Sequence, residues 1–343
     1  MRKLKLFALS IVLLTMLPWI CNSQATEAQY LPQTKFGLMV FDQPDTLKYK
    51  LEILDSLNIG MTRESQLTTT WKGYSSRLAY WQNHGIDVML NINFLTQGKA
   101  PFPTGDALVD YLDAEDAILK AHKVEWVVIE NEEQNAGYHT GNVTLDYATN
   151  QLTRAIDIAH ANGVKITNGG LSTKPLRDLT YRHILKTDSA AANKFLLECI
   201  PERERTSLVS RNNKSLEYQL NETEWLLTYY SLIDLDAVNI HLYFPLINRV
   251  GKGYATTDTV PNQLAGLSEI VAYVQYVTRK PVISNEVGLV TKDYQLSYDV
   301  TAALAQSGME WVCFWSGGKG AYHKESGKLS KNGKGVRDFI NGK

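Results

Sequence analysis

Residues 126–132 read Trp-Val-Val-Ile-Glu-Asn-Glu, and residues 280–288 read Lys-Pro-Val-Ile-Ser-Asn-Glu-Val-Gly. In each stretch a short apolar run leads into a glutamate, Glu132 in the first and Glu286 in the second. Short apolar runs without alternation are typical of strands that are covered on both faces of a parallel sheet. Because the carboxyl ends of parallel strands meet on one side of a barrel, the two glutamates are predicted to approach each other.

The same alternation of short apolar runs and longer segments of helical period continues along the chain, and it predicts repeated βα units. Eight strands are predicted, at residues 36–41, 59–63, 86–92, 124–130, 164–168, 237–241, 281–285 and 310–315. Eight strands with crossover helices favour an α/β fold, a single (β/α)8 TIM barrel, over an open doubly wound sheet. No glycine-rich dinucleotide fingerprint follows the first strand.

The helices between these strands carry recognisable ends. Asp45 or Thr46 is expected to cap the first helix, and helices are predicted at 106–122 and 145–162. The second of these ends at Asn162-Gly163, a typical helix stop. The longest connection, residues 171–236, includes a charged stretch at 193–225 that is predicted to be helical.

The charge balance bears on the partners of the protein. The 343 residues carry 35 basic and 36 acidic side chains, for a formal net charge of -1. This composition offers no electrostatic attraction for nucleic acid or for an anionic membrane surface. A neutral or weakly charged substrate is therefore favoured over a polyanion, and we expect a monomer.

The first 25 residues have the features of a secretory signal, with a basic start, an apolar run and Ser23-Gln24-Ala25 as a cleavage site. The apolar run is too short to span a membrane, so a single domain at 26–343, secreted or periplasmic, is expected. Cys21 suggests lipid anchoring as an alternative. The bulky residues Pro18-Trp19-Ile20 disfavour that alternative, because a lipoprotein peptidase prefers small residues before the cysteine.

Several other chemistries lack their motifs. The seven histidines show no His-x-x-x-His or His-x-His spacing and the cysteines form no Cys-x-x-Cys, so no metal site and no cofactor are expected. Cys313 falls in a predicted strand and is expected to be a buried small hydrophobic residue. No Gly-x-Ser-x-Gly elbow or phosphate-binding loop is present.

The polar strand ends resemble those of the clan A retaining glycoside hydrolases, (β/α)8 barrels with paired glutamates at strands four and seven. Asn131-Glu132 is similar to the Asn-Glu signature of strand four, and Glu286 with Gly288 is similar to the Glu-x-Gly of strand seven. Further similar positions are Arg63 after strand two, His241-Leu242-Tyr243 at strand six and Trp315 at strand eight. The resemblance extends over essentially the whole chain after residue 25.

The resemblance implies a secreted enzyme that cleaves β-glycosidic bonds with retention of configuration. It implies that Glu132 is the acid/base and Glu286 the nucleophile, that Asn131 binds the sugar 2-hydroxyl, and that Trp315 is a sugar platform. A carbohydrate, and specifically a neutral poly- or oligosaccharide, is then the expected substrate.

The acidic run after strand four leaves the assignment of the acid open. The family commonly has proline after the acid/base, whereas this chain has Glu133, so Glu130 or Glu133 could replace Glu132 in that role. A general acid must be protonated near working pH, and neighbouring carboxylates would raise the pKa of Glu132.

The residue chemistry agrees with these roles. Arg63 could keep Glu286 ionised, and Tyr243 could donate a hydrogen bond to it. The expected substrate-binding residues are Arg63, Asn131, Asn168, His241, Tyr243 and Trp315. Two alternatives remain open, a non-catalytic carbohydrate-binding TIM barrel and a proton-abstracting lyase, for which His241 is the only candidate base.

Overall fold

The computed structural model describes residues 34–39, 46–95, 100–244, 260–289, 293–315, 322 and 328–342. The predicted signal at 1–25 with Cys21, the end of the first predicted strand and the alternative cap Asp45 lie outside these ranges.

Parallel strands form the centre of the fold. The described strands are β1 (Lys35–Met39), β2 (Met61–Leu67), β3 (Asp87–Asn93), β4 (Ala100–Pro101), β5 (Trp126–Ile129), β6 (His139–Thr140), β7 (Lys165–Thr167), β8 (Leu171–Ser172), β9 (Val238–Phe244), β10 (Val282–Leu289) and β11 (Trp311–Trp315). Nine of them form one curled parallel sheet in the order β7-β5-β3-β2-β1-β11-β10-β9-β8, and β4 pairs separately with β6.

Helices lie between these strands along the chain. They are α1 (Leu47–Leu57), α2 (Ser76–Asn83), α3 (Asp106–Ala121), α4 (Thr153–Ala161), α5 (Thr173–Leu185), α6 (Ser189–Cys199), α7 (Glu202–Ser210), α8 (Lys214–Tyr230), α9 (Val260–Thr278), α10 (Tyr294–Gln306) and α11 (Lys331–Ile340). A π-helix at Val143–Leu152 leads into α4. Among the helices in the described ranges, none combines the length and apolar character that a membrane crossing requires.

Most of the predicted elements are present with shifted ends. Each of the eight predicted strands corresponds to an observed one, and the α/β class is confirmed. The side chain of Thr46 accepts a hydrogen bond from the backbone of Tyr49, so it caps α1 as expected. The predicted helical stretch at 193–225 is divided among α6, α7 and α8. Cys199 and Cys313 are both buried and free.

The prediction of eight strands differs from the nine of the main sheet, and the difference lies at residues 165–172. Thr167 pairs with Ala237, and Leu171 pairs with Ile240. The segment from 167 to 171 therefore contains one residue more than the segment of β9 that it pairs with. The interruption between β7 and β8 falls at Asn168-Gly169-Gly170. The predicted strand at 164–168 is observed as β7, and β8 is an additional short strand that the sequence did not predict.

Side chains on the strands alternate between two environments. On β3, Val88, Leu90 and Ile92 belong to the large core that includes the helices, whereas Met89 belongs to a smaller cluster on the concave face. The members of that smaller cluster are Met61, Met89, Trp126, Val128, Ala237, Ile283, Trp311 and Cys313. Because side chains alternate along a strand, the next inward positions toward the carboxyl ends are polar, Asn91 on β3 and Asn239 on β9.

Asp236 connects β7 to the start of β9. Its Oδ2 accepts a hydrogen bond from the backbone N–H of Ile166 at 2.8 Å and lies 3.0 Å from Nε2 of His160. The backbone N–H of Asp236 donates to the carbonyl of Ile166 at 3.1 Å. These bonds lie where the two ends of the sheet approach each other.

We expect Asp236→Ala to lower the free energy of unfolding by about 1–3 kcal/mol, because it leaves the N–H of Ile166 without its acceptor. Urea denaturation measures this change. The matched control is Asp234→Ala, since Asp234 is 89% exposed and lies 3.7 Å from His160. Asp234→Ala should lower the free energy of unfolding by less than about 0.5 kcal/mol. Equal decreases in the two variants would contradict a stabilising role for the hydrogen bond between Asp236 and Ile166.

Candidate active site

Glu286 lies on β10 in a buried, polar environment. Its Oε2 is 2.5 Å from NH1 of Arg63, and its Oε1 accepts a hydrogen bond from the hydroxyl of Tyr243. Both partners come from other strands, Arg63 from β2 and Tyr243 from β9. The carboxylate therefore has a cation on one oxygen and a hydroxyl on the other.

A bulge in β10 determines which residues reach the concave face. Ile283 pairs with Asn239, and Glu286 pairs with His241. Between these two pairs, β10 therefore contains one residue more than β9. An extra residue in one strand locally breaks the alternation of side chains. As a result Asn285 and Glu286, although adjacent in sequence, both point to the same interior.

Arg63 links the strands around Glu286. Besides its ion pair, its Nε donates to Oδ1 of Asn91 at 2.9 Å and its NH2 donates to Oδ1 of Asn131 at 2.5 Å. NH1 also donates to the carbonyl of Asn285 at 3.2 Å. The guanidinium is 4% exposed, so these acceptors replace water around a buried cation.

Glu132 reaches the site from a turn after β5. The strand ends at Ile129, and both Glu130 and Glu132 have left-handed backbone, with φ of 63° and 49°. Such conformations cost on the order of 1 kcal/mol or more for residues other than glycine, and they concentrate at functional sites. The turn ends the strand alternation that the sequence alone would suggest and directs Glu132 toward His241.

The carboxylate of Glu132 has a partner on each oxygen. Its Oε1 lies 3.0 Å from Nδ1 of His241, and its Oε2 accepts a hydrogen bond from Nδ2 of Asn135 at 2.7 Å. One oxygen of Glu132, one oxygen of Glu286 and a ring nitrogen of His241 all lie within 4.8 Å of one another.

The other two acids of the run point elsewhere. Oε1 of Glu130 accepts from the backbone N–H of Phe94 at 3.0 Å and from Gln151 at 2.7 Å. Oε1 of Glu133 accepts from Asn168 and from the hydroxyl of Tyr230, each at 2.8 Å, while its buried Oε2 has no partner. Of the three acids, Glu132 is the one that lies beside Glu286.

The two facing carboxylates are both biased toward the ionised form. Burial by itself raises the pKa of Glu286, but the charges of His241 and Arg63, with hydrogen bonds from Tyr243 and Arg63, outweigh it and lower the pKa to about 2. Burial likewise raises the pKa of Glu132, but the hydrogen bond and charge of His241, together with Asn135, bring it below its ordinary value.

The expectation of a raised pKa for Glu132 is therefore wrong, and the reason is the imidazole beside it. Burial instead raises the pKa of the neighbouring Glu130 and Glu133, which accept hydrogen bonds but form no salt bridge with any residue that the structure describes.

The ring of His241 is completely buried and held by close packing. A Cβ on Gly170, whose φ is +120°, would come within 2.2 Å of Nε2 of His241, so only glycine fits beside the ring. The backbone carbonyl of His241 accepts a hydrogen bond from the hydroxyl of Thr173.

Glu132, His241 and Glu286 are also the group of side chains that could hold a cation. The donor set fits poorly, because Glu286 already pairs with Arg63 and both nitrogens of His241 are hydrogen-bonded, to Glu132 and to Asn285. A metal ion here would face the guanidinium at short range.

The remaining predicted residues surround this centre at different depths. The ring of Trp315 stands edge-on to that of Tyr243, with centroids 6.2 Å apart, and is partly exposed. Asn131 is buried against Arg63, and its carbonyl lies 2.7 Å from Nε2 of His139. Asn168 is completely buried, and its amide binds Glu133 and the backbone of Asn239. A role for these residues in binding substrate stays a prediction.

Sequence reasoning missed the asparagines inside the sheet. Asn91, Asn239 and Asn285 are completely buried and form hydrogen bonds with one another or with the site. A signal was available in β9, where Val238, Ile240 and Leu242 alternate with Asn239, His241 and Tyr243. Asn135 gave no comparable signal, because only the turn after β5 brings it to Glu132.

Comparison with known proteins identifies the fold. No protein-family model matches the chain, and no curated protein matches it either. A solved family 39 glycoside hydrolase from the gut symbiont Bacteroides cellulosilyticus WH2 is similar, with a TM-score of 0.52 and 11% identity. The match covers 90% of this chain and 64% of that one, so this chain spans less than two thirds of its length.

Two further structures are less similar. A hyperthermophilic beta-glucosidase mutant has a TM-score of 0.49 at 10% identity, over 79% of each chain. SrfJ from Salmonella typhimurium has the same score and identity, over 90% of this chain and 75% of its own. At these identities the likeness concerns the fold alone, and the two scores under 0.5 carry no argument. The chain thus has an α/β fold similar to that of a glycoside hydrolase.

Glu130 provides a test of the electrostatics around the site. Burial raises its pKa to about 7 from an ordinary value of 4.5, so between these pH values the folded protein holds a proton that the unfolded chain has lost. Stability due to this group is therefore present below about pH 4.5 and is lost as the pH rises through about 7.

We expect Glu130→Gln to reduce the fall in unfolding free energy between pH 5 and pH 7.5, as measured by urea denaturation at both pH values. Glutamine keeps an oxygen that accepts from Phe94 and carries no charge to desolvate. Glu52→Gln, on the exposed side of α1, is the control and should leave the fall unchanged. An unaltered pH dependence in Glu130→Gln would mean that this carboxyl is ionised in the folded protein.

Proposed function

We propose that this protein is a retaining β-glycoside hydrolase on a closed (β/α)8 barrel, with Glu132 as acid/base and Glu286 as nucleophile. One observation carries the proposal: carboxylate oxygens of the two residues lie within 4.8 Å of each other in a buried site, where Glu286 contacts Arg63 and Glu132 contacts His241.

The separation of the carboxylates favours retention over inversion. Retaining glycosidases place their two carboxyl groups about 5–5.5 Å apart, whereas inverting enzymes need about 6.5–9.5 Å to admit a water molecule. Facing oxygens of Glu132 and Glu286 within 4.8 Å of each other leave less room than an inverting enzyme needs, which supports retention. Glu286 then attacks the anomeric carbon itself.

Glu286 suits the role of nucleophile because it is held as an anion. Arg63 and Tyr243 bind its two oxygens, and the charges of His241 and Arg63 with the hydrogen bond of Tyr243 lower its pKa to about 2. In the first step an oxygen of Glu286 bonds to the anomeric carbon while the glycosidic C–O bond breaks. The electron pair of that bond leaves with the departing oxygen, which needs a proton.

The pair of Glu132 and His241 supplies that proton. Their facing atoms, Oε1 and Nδ1, are 3.0 Å apart and can share one proton between them. In the second step Glu132 takes a proton from water, the water oxygen bonds to the anomeric carbon, and Glu286 is released as a carboxylate.

The proposed substrate is a neutral β-linked poly- or oligosaccharide. Trp315 and Tyr243 offer aromatic surface next to Glu286, and aromatic faces suit the C–H faces of sugar rings. Among the described residues, Arg63 is paired with Glu286 in the site, and this matched charge favours a neutral substrate over an anionic one. We further propose that the enzyme acts as a secreted or periplasmic monomer.

For the acid, we expect Glu132→Gln to slow cleavage of aryl β-glycosides with poor leaving groups by about 100-fold or more. Glycosides with activated leaving groups should be affected far less, because their departing oxygen needs little protonation. Rates across a series of aryl glycosides of different phenol pKa measure the difference.

The matched control for this prediction is Glu133→Gln, which alters the adjacent buried carboxyl. It should show no dependence on the leaving group. If Glu133→Gln or Glu130→Gln shows the leaving-group dependence instead, Glu132 is not the acid.

For the nucleophile, a 2-fluoro β-glycoside with a good leaving group should label Glu286, because the fluorine slows release of the covalent intermediate more than its formation. Mass spectrometry should find the adduct in the peptide that contains Ser284-Asn285-Glu286. NMR of the first product should show the anomer of the substrate.

Formation of the opposite anomer by an active enzyme would exclude the double displacement. Binding of oligosaccharides without any turnover in the wild type would instead favour a non-catalytic carbohydrate-binding protein. A screen of β-glucans, mannans, xylans and galactans, with product sizing, separates these two outcomes.

A further inference from the structure

A chain of buried asparagines crosses the concave face beneath the facing glutamates. Asn91, Asn285, Asn239 and Asn168 come from four parts of the chain, and each is completely buried. At least one of them contacts each of Arg63, Glu133 and His241. Amide oxygen and nitrogen look alike by shape, so the orientation of each amide has to come from its partners.

The orientation of Asn91 follows from two partners of fixed type. Its Nδ2 donates to the backbone carbonyl of Glu130 at 3.0 Å, and its Oδ1 accepts from Nε of Arg63 at 2.9 Å. A carbonyl can only accept and a guanidinium can only donate. The atom of Asn285 that lies 3.0 Å from Oδ1 of Asn91 must therefore be the donor, Nδ2.

The orientation of Asn239 leads to the same result from the other side. Its Oδ1 accepts from the backbone N–H of Asn285 at 2.9 Å, and its Nδ2 donates to the backbone carbonyl of Asn168 at 3.2 Å. The atom of Asn285 that lies 2.8 Å from Nδ2 of Asn239 must then be an acceptor, Oδ1. Two independent neighbours fix the same orientation of the Asn285 amide.

The fixed amide determines where His241 carries its proton. Oδ1 of Asn285 lies 2.7 Å from Nε2 of His241, and an amide oxygen cannot donate, so Nε2 must carry a hydrogen. A neutral ring with its hydrogen on Nε2 presents a lone pair at Nδ1. That lone pair faces Oε1 of Glu132 at 3.0 Å.

We propose that Asn285 is a positioning residue that locks His241 in the Nε2–H form, so that Nδ1 and Glu132 must share one proton between them. The catalytic meaning of this lock rests on the proposed function, whereas the lock itself does not. When the shared proton is lost, the carboxylate of Glu132 and the lone pair on Nδ1 of His241 face each other without a hydrogen between them, which is unfavourable. Asn285 thus delays the loss of the acid's proton to higher pH.

Other charged and titratable groups also face His241. They are Glu132 from the turn after β5, Glu133 from the same turn, Glu286 from β10 with its partner Arg63 from β2, and Tyr243 two residues along β9. The negative charge of Glu286 opposes a second negative charge on Glu132 and acts in the same direction as the lock. The substitution of Asn285 leaves all of these groups in place.

The direct test is ¹⁵N NMR of the unreacted enzyme with ring-labelled histidine, over a pH titration. The signals of His241 are assigned by their loss in His241→Gln. In the wild type, Nε2 should remain protonated throughout and only Nδ1 should change. A neutral ring with its hydrogen on Nδ1 would overturn the proposal.

Asn285→Leu removes the acceptor at similar volume. The neutral ring is then free to place its hydrogen on Nδ1 and donate to the Glu132 carboxylate, so the midpoint of deprotonation should fall by about one pH unit. The neutral ring should also switch to the Nδ1–H form. An Nε2–H ring in a folded Asn285→Leu protein would overturn the proposal even if the midpoint falls, because loss of the hydrogen bond to the charged ring is enough to lower the midpoint.

Asn93→Leu is the matched control, since Asn93 is another buried asparagine of β3 and is not a partner of either nitrogen of His241. It should leave the tautomer and the midpoint unchanged. If Asn285→Leu does not fold, the wild-type titration still decides the question. Because these measurements need no substrate, their failure is distinct from failure to label Glu286, which tests the proposed function.

Discussion

The ion pair between Arg63 and Glu286 is the interaction on which the arrangement of the site depends. A guanidinium that is almost fully buried loses its water, and the loss is tolerable only if protein acceptors surround it. Glu286 supplies the opposite charge, and Asn91, Asn131 and the carbonyl of Asn285 supply the other acceptors. These partners come from separate parts of the chain, so the cation ties their strand ends together.

The hydrogen-bonding needs of the Arg63 guanidinium explain why the concave face changes character along the strands. Toward the amino ends of the strands the face is apolar, with Met89, Ile283 and Trp311 in one cluster. Asparagines follow where the guanidinium needs acceptors, and the titratable groups lie beyond them. Each asparagine amide has both a donor and an acceptor, so a connected chain of them can be fully hydrogen-bonded in a place where a lone polar group would be costly.

The two facing carboxylates differ through their partners more than through their burial. Glu286 contacts a guanidinium, which stays protonated at all relevant pH values and can only hold a proton away from the carboxylate. Glu132 contacts an imidazole, a group that can either donate or accept a proton. A carboxylate beside a guanidinium and a second beside an imidazole, with oxygens within 4.8 Å of each other, suit the double displacement that we propose.

The sequence by itself determined the strands and the meeting of their ends, because apolar runs and helical periods record which faces are buried. It therefore predicted that Glu132, Glu286, Arg63 and His241 converge. Only the tertiary structure decided how they do so. The bulge that turns both Asn285 and Glu286 inward and the left-handed turn at Glu132 are set by the register with neighbouring strands, which leaves no periodic signal. The protonation of Glu132 likewise depends on an imidazole more than 100 residues away, at a distance that only packing defines.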